Sequence, residues 1–361
     1  MNLVPQVSAD EVATRPDKTT NSESIWAKTA VTAYLREHVK EFCYLGELRA
    51  KGWANPQGDE HFRNQRKNAD KADTKTARYF YGMMKAIAKQ LHDKTGAFQI
   101  YPQGHPIDVL DLCMAPGGFV SFVLETQRVA IARGFSLPVE QGGHEVLVES
   151  DKLDVTFTDI TMLGGDMGVI EADIPSAHPD AGDFRLQKLL TDGDKFDLVF
   201  CDGQVLRTHQ RSPWREAREA RRLSLVQLSL GLEHVRPGGT IVILLHKLEA
   251  WENLQLLQKL HQFSEVQLFK SPKYHATRSS FYAVATKIQS NHPLAVHMVA
   301  TWKQQWKVAT FGTAEEYRQA VQENGSDAAA VLEVFGKAYV QMGRHIWATQ
   351  ATALSKAPYI R

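Results

Sequence analysis

Residues 109–125 read VLDLCMAPGGFVSFVLE. A short apolar run enters Ala-Pro-Gly-Gly and continues as an apolar helical pattern, which is how a buried strand passes through a tight turn into a helix. Such a junction calls for something very close to the backbone. Glycine has no Cβ, so Gly117 and Gly118 leave room for a ligand against the chain, and the first amides of the following helix are unsatisfied donors facing it. Asp111, at the strand's end, carries the charge to orient an amine. In open α/β sheets ligands lie beyond the carboxyl ends of the strands, where this turn would sit. A plain tight turn would look the same in isolation. Neither G-x-G-x-x-G nor G-x-x-x-x-G-K-[ST] occurs, which argues against dinucleotide and P-loop sites.

Strand-like runs on either side of the junction place it in a layered sheet. They are IDVLDLC (107–113), VTFTDI (155–160), FDLVFCDG (196–203), GTIVILLHK (239–247), VQLFK (266–270) and SFYAVATK (280–287), with longer helical patterns between them. That alternation predicts an α/β domain over 101–290. Residues 25–100 carry apolar positions at three and four spacing in IWAKTAVTAYLREHVKEFCYLGEL and ARYFYGMMKAIAKQLHD, giving an N-terminal helical region. Residues 291–361 return to helices, with a break at ENGSD. Residues 1–24 are polar and read as a mobile tail.

Composition narrows the class. The chain has 361 residues, 43% hydrophobic and 23% charged, enough for a full core. With 42 basic against 41 acidic residues, a nucleic-acid surface would have to be a local patch. Cys43, Cys113 and Cys201 are far apart, as in a protein of a reducing compartment, and no Cys/His group has zinc spacing. No apolar run reaches membrane-spanning length and no targeting segment is recognised, so a cytosolic or nuclear location and no membrane partner are expected. Oligomeric state is not legible.

DLCMAPGGF (111–119) resembles the S-adenosylmethionine motif of the FtsJ-like (RrmJ-type) ribose 2′-O-methyltransferases, D-L-x-x-A-P-G-G-[FW], and three more segments follow in that family's order. FDLVFCDGQ resembles the strand whose last Asp lies beside the methyl group. GGTIVILLHKLE is similar to the strand carrying a catalytic lysine, and LFKSPKYHATRSSFYAVATK to the closing strand pair. The RGFSLPVEQGGHEVL insertion resembles a fungal branch of FtsJ-domain proteins. This resemblance covers about 75–287 and implies a Rossmann-like methyltransferase sheet with helices on both faces, extended by helices at both ends. It also implies S-adenosylmethionine as cofactor. Its contacts would fall on Asp111, Ala115, Pro116, Gly117, Gly118 and Phe119, on Asp159 and Ile160 after the third strand, and on Asp202. Phe135 and Ser136 stand where the family has an acidic ribose contact. The family's Lys-Asp-Lys-Glu tetrad maps to Lys85 (with Lys75 and Lys89 as alternatives), Asp202, Lys247 and, in place of the Glu, Ser280.

Methyl transfer from a sulfonium is an in-line displacement, so such an enzyme mainly positions the acceptor and polarises or deprotonates it. On the family's pattern Lys247 is the base and Asp202 orients it. Without the resemblance, Lys247 could be a solvated strand terminator and Asp202-Gly203 a turn. Arg207, Arg211, Arg215, Arg218, Arg221 and Arg222 crowd one segment against only Glu216 and Glu219. They read either as a helix face stitched by Glu-Arg pairs or as phosphate contacts rimming the acceptor cleft, with Lys270, Lys273, His275 and Arg278 extending that rim. The expected function is therefore RNA ribose 2′-O-methylation. A catalytically impaired cofactor- or RNA-binding protein, given Ser280, and a small-molecule O-methyltransferase, given the neutral net charge, stay open.

Overall fold

Alternating residues of each central strand go to opposite sides of one sheet. Leu110, Val199, Cys201, Ile241, Ile243, Ala283 and Ala285 belong to one buried apolar cluster; Val109, Leu198, Phe200, Val242 and Val284 belong to another. The structure, a computed structural model, describes residues 22–58, 63, 74–100, 105–322 and 327–360. Most of the expected tail, 1–21, lies outside the described residues.

The sheet has seven strands in the order β3-β2-β1-β4-β5-β7-β6. They are β1 Ile107–Asp111, β2 Val129–Ser136, β3 Leu153–Phe157, β4 Phe196–Cys201, β5 Val235–His246, β6 Glu265–Phe269 and β7 Ser280–Thr286. The first five run parallel, and β7 is antiparallel to both β5 and β6. All six residues of β4 are buried, as befits a central strand covered on both faces. Strand order reverses between β1 and β4, and the cleft outside their carboxyl ends is where ligands of such sheets collect.

Before the sheet come helices α1 (Ser22–His38), α2 (Lys40–Ala54) and α3 (Thr74–Thr95); α3 packs against α4 (Gly118–Thr126) on one face. The other face carries α5 (Glu219–His234) and α6 (Trp251–Leu260), and outside them α7 (Pro293–Phe311) and α9 (Ala328–Ser355), with α8 (Ala314–Gln322) between these two. Helix α7 lies along α5, and α9 along α1, α2 and α6. Trp306 of α7 and Trp347 of α9 are fully buried in the same cluster as Leu110, so the C-terminal helices share the core of the sheet.

Two connections between parallel strands depart from the expected alternation: β2–β3 has only the 3₁₀ turn Val139–Gln141, and β3–β4 is longer and more irregular. Between β3 and β4 the chain makes only two short 3₁₀ turns, Ile160–Met162 and Glu171–Asp173, and no α-helix. Its apolar side chains Met162, Leu163, Met167, Phe184 and Leu190 join the cluster that holds Trp306. Buried Asp166 accepts the amides of Leu189 and Leu190, which fixes the irregular path. No helix among the described residues is long and apolar enough to cross a membrane.

Candidate active site

A cavity of about 450 Å³ opens along the carboxyl ends of the strands. Strand order divides its wall. Ala115 and Pro116 after β1, Ser136 and Leu137 at the end of β2, and Asp159 to Thr161 after β3 form one half. Leu244 and His246 of β5, Ser280 and Tyr282 of β7, and Lys270, Tyr274, His275 and Arg278 between β6 and β7 form the other. Asp202, at the end of β4, stands between the halves. Helix α3 closes the side with Phe80, Met83, Met84 and Ile87.

Asp202 is 7% exposed, and its Oδ1 has no hydrogen-bond partner among the described residues. Burial pushes its carboxyl up to about 7. Asp111 lies behind the wall, where burial and the neighbouring Asp202 raise it as well; its Oδ1 accepts the Cys113 amide at 3.1 Å. The Gln227 side chain holds the turn after Asp202, accepting Gly203 N–H at 2.8 Å and donating to its carbonyl at 3.2 Å. A Cβ on Gly203 would fall 2.2 Å from Cys113 Sγ, so only glycine lets the ends of β1 and β4 meet here.

Gly117 and Gly118 are also needed for packing within the protein. Neither lines the cavity. A Cβ on Gly117 (φ +98°) would lie 2.4 Å from Val148 Cγ1, and one on Gly118 2.5 Å from the Tyr81 carbonyl of α3. The protein itself makes the close approach, through α3 and the β2–β3 insertion. That insertion forms a strap across the cleft: Leu147 N–H donates to Pro116 O at 3.0 Å, Gln210 N–H to Gln141 O at 2.9 Å, and the Thr208 hydroxyl to Gly142 O at 2.6 Å. Phe119 is buried against Phe200 and Tyr282 rather than in the wall.

The arginine-rich segment turns inward. Arg215 is buried and donates to Asp159 Oδ2 (2.6 Å), to both oxygens of Glu219 and to the Thr161 hydroxyl. Fully buried Arg222 bonds Glu219, Thr161 O and Thr310 Oγ1 and lies over the rings of Trp214 and Trp306. Arg218 donates to the carbonyls of Ala309 and Gly312 and covers Tyr317; Arg211 bonds Leu206 O, His209 O and Glu216. Arg218 and Arg222 tie this segment to the end of α7, whereas Arg211 and Arg215 are held by carbonyls and carboxylates of the cleft wall itself. The sequence could not separate such internal bonds from phosphate contacts, because Glu-Arg spacing suits both. Arg207 and Arg278 do line the cavity, and Arg207 is exposed. Lys273 is exposed beside the Tyr274 ring, outside the wall.

Asp159 is held accordingly. Its Oδ1 accepts the amide and hydroxyl of Thr161, and its Oδ2 takes Arg215 and His209, so its acceptor positions are filled from within the protein. Desolvation opposes its charge, but His209 and Arg215 outweigh it and hold the carboxyl well below the usual range. Asp159, His209 and Glu219 bring ligand atoms within 4.8 Å of one another, yet the Arg215 guanidinium already bonds both carboxylates and leaves no place for a metal ion.

In the other half, the strand alternation selects His246. It faces Ser280 across β5 and β7, and with Leu244 and Tyr282 it lines the cavity. Lys247 is the next residue, in left-handed backbone (φ +56°), and its side chain is not part of the wall. Gln204 meets His246 Nε2 at 2.6–2.9 Å. Lys85 also lies away from the cavity, paired with Glu125 of α4 at 2.5 Å. Lys270 is in the wall but buried, bonded to three backbone carbonyls. Burial, Arg278 and Lys270 push His275 down to about 4. The signal for His246 was in the sequence, in the period of two that makes the residue before Lys247 share a face with Leu244.

A parallel sheet closed by an antiparallel hairpin, with a cleft at its reversal point, is a framework on which open α/β folds bind their ligands. The sequence model of the FtsJ-like methyltransferase family matches residues 85–288, more than half of the chain, and the chain belongs to that family. S-adenosylmethionine is the usual cofactor of methyltransferases of that family. The chain is also similar to the ribosomal RNA small subunit methyltransferase B of Klebsiella pneumoniae (strain 342), 26% identical over 143 residues, 37% of this chain and 28% of that protein. The match thus spans less than a third of that relative's length.

Proposed function

We propose that the protein transfers the methyl group of S-adenosylmethionine to a ribose 2′-hydroxyl of RNA. The observation that carries this reading is Asp202, a buried carboxylate at the reversal point with one oxygen unpartnered among the described residues. It fits the cofactor, because two buried carboxylates, Asp202 and Asp111, suit a ligand that carries an ammonium and a sulfonium. Bound there, S-adenosylmethionine supplies an electrophilic methyl on positively charged sulfur. Ala115, Pro116, Ser136 and Ile160 would pack beside it. The RNA acceptor draws support from the family and from the name of the ribosomal RNA relative.

The chain's own residues then have separable tasks. Asp202 orients the acceptor hydroxyl at the boundary between the halves. His246, braced by Gln204, takes the position the resemblance gives to Lys247 and receives the hydroxyl proton. Ser280 leaves the wall open where the family carries Glu. Lys85, paired with Glu125, and Lys247 lie outside the wall of the cavity. Titration with S-adenosylmethionine, then transfer of labelled methyl to total RNA and to a metabolite pool with digestion to nucleosides, tests the reading. Label in 2′-O-methylnucleosides supports it. Label in the metabolite pool alone would favour the small-molecule reading, which gains weight from the apolar wall of Phe80, Met84 and Tyr274 and from the arginines turned inward.

A further inference from the structure

We infer that Lys270 is a positioning residue of the acceptor half: its buried side chain folds the β6–β7 connection into the wall that His275, Arg278 and Ser280 present to the substrate. This rests on the proposed reading for the identity of the acceptor. Lys270 follows β6 directly and is 6% exposed. Its Nζ donates to the carbonyls of His275 (3.2 Å), Arg278 (2.7 Å) and Ser280 (2.7 Å), one acceptor for each proton of an ammonium. Hydrogen bonds to a charged donor are the strong ones, and here three converge from six residues of chain. The connection has no strand or helix to hold it. His275 adopts φ +52°, a conformation that a non-glycine residue keeps only when its surroundings impose it.

Two further contacts fix the same loop from outside. The Ser271 hydroxyl donates to Gln90 of α3 and accepts the Tyr274 amide. Behind the loop, Gln350 of α9 donates to Thr277 O at 3.1 Å and accepts from Arg49 of α2, which is itself paired with Glu249. The helices at both ends of the chain thus reach the acceptor wall through Gln350. Burial and the Arg49 guanidinium push the Lys270 ammonium down to about 7, so the three carbonyls are what favour the proton in place. With its hydrogens occupied, Lys270 has none to offer a phosphate.

The test compares Lys270→Met and Gln350→Leu with the wild type, by hydrogen exchange of amides 274–280, S-adenosylmethionine affinity and methyl transfer to total RNA. Lys270→Met should speed exchange of those amides by about tenfold or more. It should raise KM for the RNA about tenfold while cofactor affinity stays within about twofold. Gln350→Leu, which removes only the outer brace, should shift both readouts in the same direction by less, and it decides the matter if Lys270→Met does not fold. Unchanged exchange in 274–280 in the folded variants overturns the inference. So does a loss of cofactor affinity in step with transfer, which would mark general damage. If the wild type methylates no RNA, the acceptor reading fails while exchange still decides the role of Lys270.

Discussion

His246 and Ser280 stand opposite each other at the ends of β5 and β7, both in the cavity wall, and Lys247 follows as the first residue beyond the strand. His246→Ala should therefore cut methyl transfer by about 10²- to 10⁴-fold, the usual worth of a positioned acid–base group. Lys247→Asn, chosen because Asn tolerates positive φ, should cost less than about tenfold. Single-turnover rates at saturating cofactor measure both. A collapse with Lys247→Asn and not with His246→Ala would return the lysine to the centre of the chemistry.

Cofactor binding should be pH-dependent through Asp202. Burial raises this carboxyl from 3.8 to about 7, so a cationic ligand must displace its proton below that value. Affinity should fall about tenfold per pH unit below 7 and level off above it. The ligand-free fold responds with the opposite sense. An acid with a raised folded-state pKa loses stability as it ionises, so the penalty grows from pH 4 toward 7. Asp202→Asn should flatten the binding profile and raise the melting temperature of the ligand-free protein at pH 8. An equally steep profile in the variant would transfer the effect to Asp111.

Arg215→Gln should destabilise the fold by about 3–5 kcal/mol, the cost of leaving buried Glu219 and Asp159 without their cation. Chemical denaturation reads this directly. Arg207→Gln and Arg278→Gln should leave stability nearly unchanged, and each should reduce the salt slope of RNA binding by about one. Salt slopes insensitive to both substitutions would place the RNA on another face.

Gly118→Ala should lower stability by about 1–3 kcal/mol, because its Cβ would meet the Tyr81 carbonyl, backbone that cannot swing away. Gly117→Val should be worse, with a clash against Val148 added to strained φ. Thermal melts with and without S-adenosylmethionine separate a packing fault, seen in both, from a cofactor fault, seen only with ligand.

Apart from β2 (Val129–Ser136), whose run was not singled out, the strands were legible, most clearly as the long apolar runs at 107–113, 196–203 and 239–247. The β3–β4 connection was not. Its apolar residues Met162, Met167 and Phe184 are spaced for no regular element, and Phe184 meets Trp306 and Phe311 of α7, more than a hundred residues away. Within the site, Asp202 was legible as the polar residue ending a buried strand. Lys247 was singled out by the resemblance of its strand to the family's lysine strand; His246, one residue earlier, is the one on the face that lines the cavity. Arg215 and Lys270 were read as surface charges since nothing local in a sequence tells a solvated cation from one whose acceptors arrive from distant carbonyls and carboxylates.

Arg218 and Arg222 leave one last consequence. The stretch that matches the family ends at 288, whereas Arg218 has its carbonyl acceptors at Ala309 and Gly312, Arg222 has one of its acceptors at Thr310, and Trp306 fills the core beneath them. A fragment ending at 288 would keep every wall residue of the cleft but take these acceptors from both guanidinium groups and open a void the size of an indole. The sheet and the helices after it therefore share one core. A chimera that exchanged the matched stretch for that of another family member would have to bring α7 along with it.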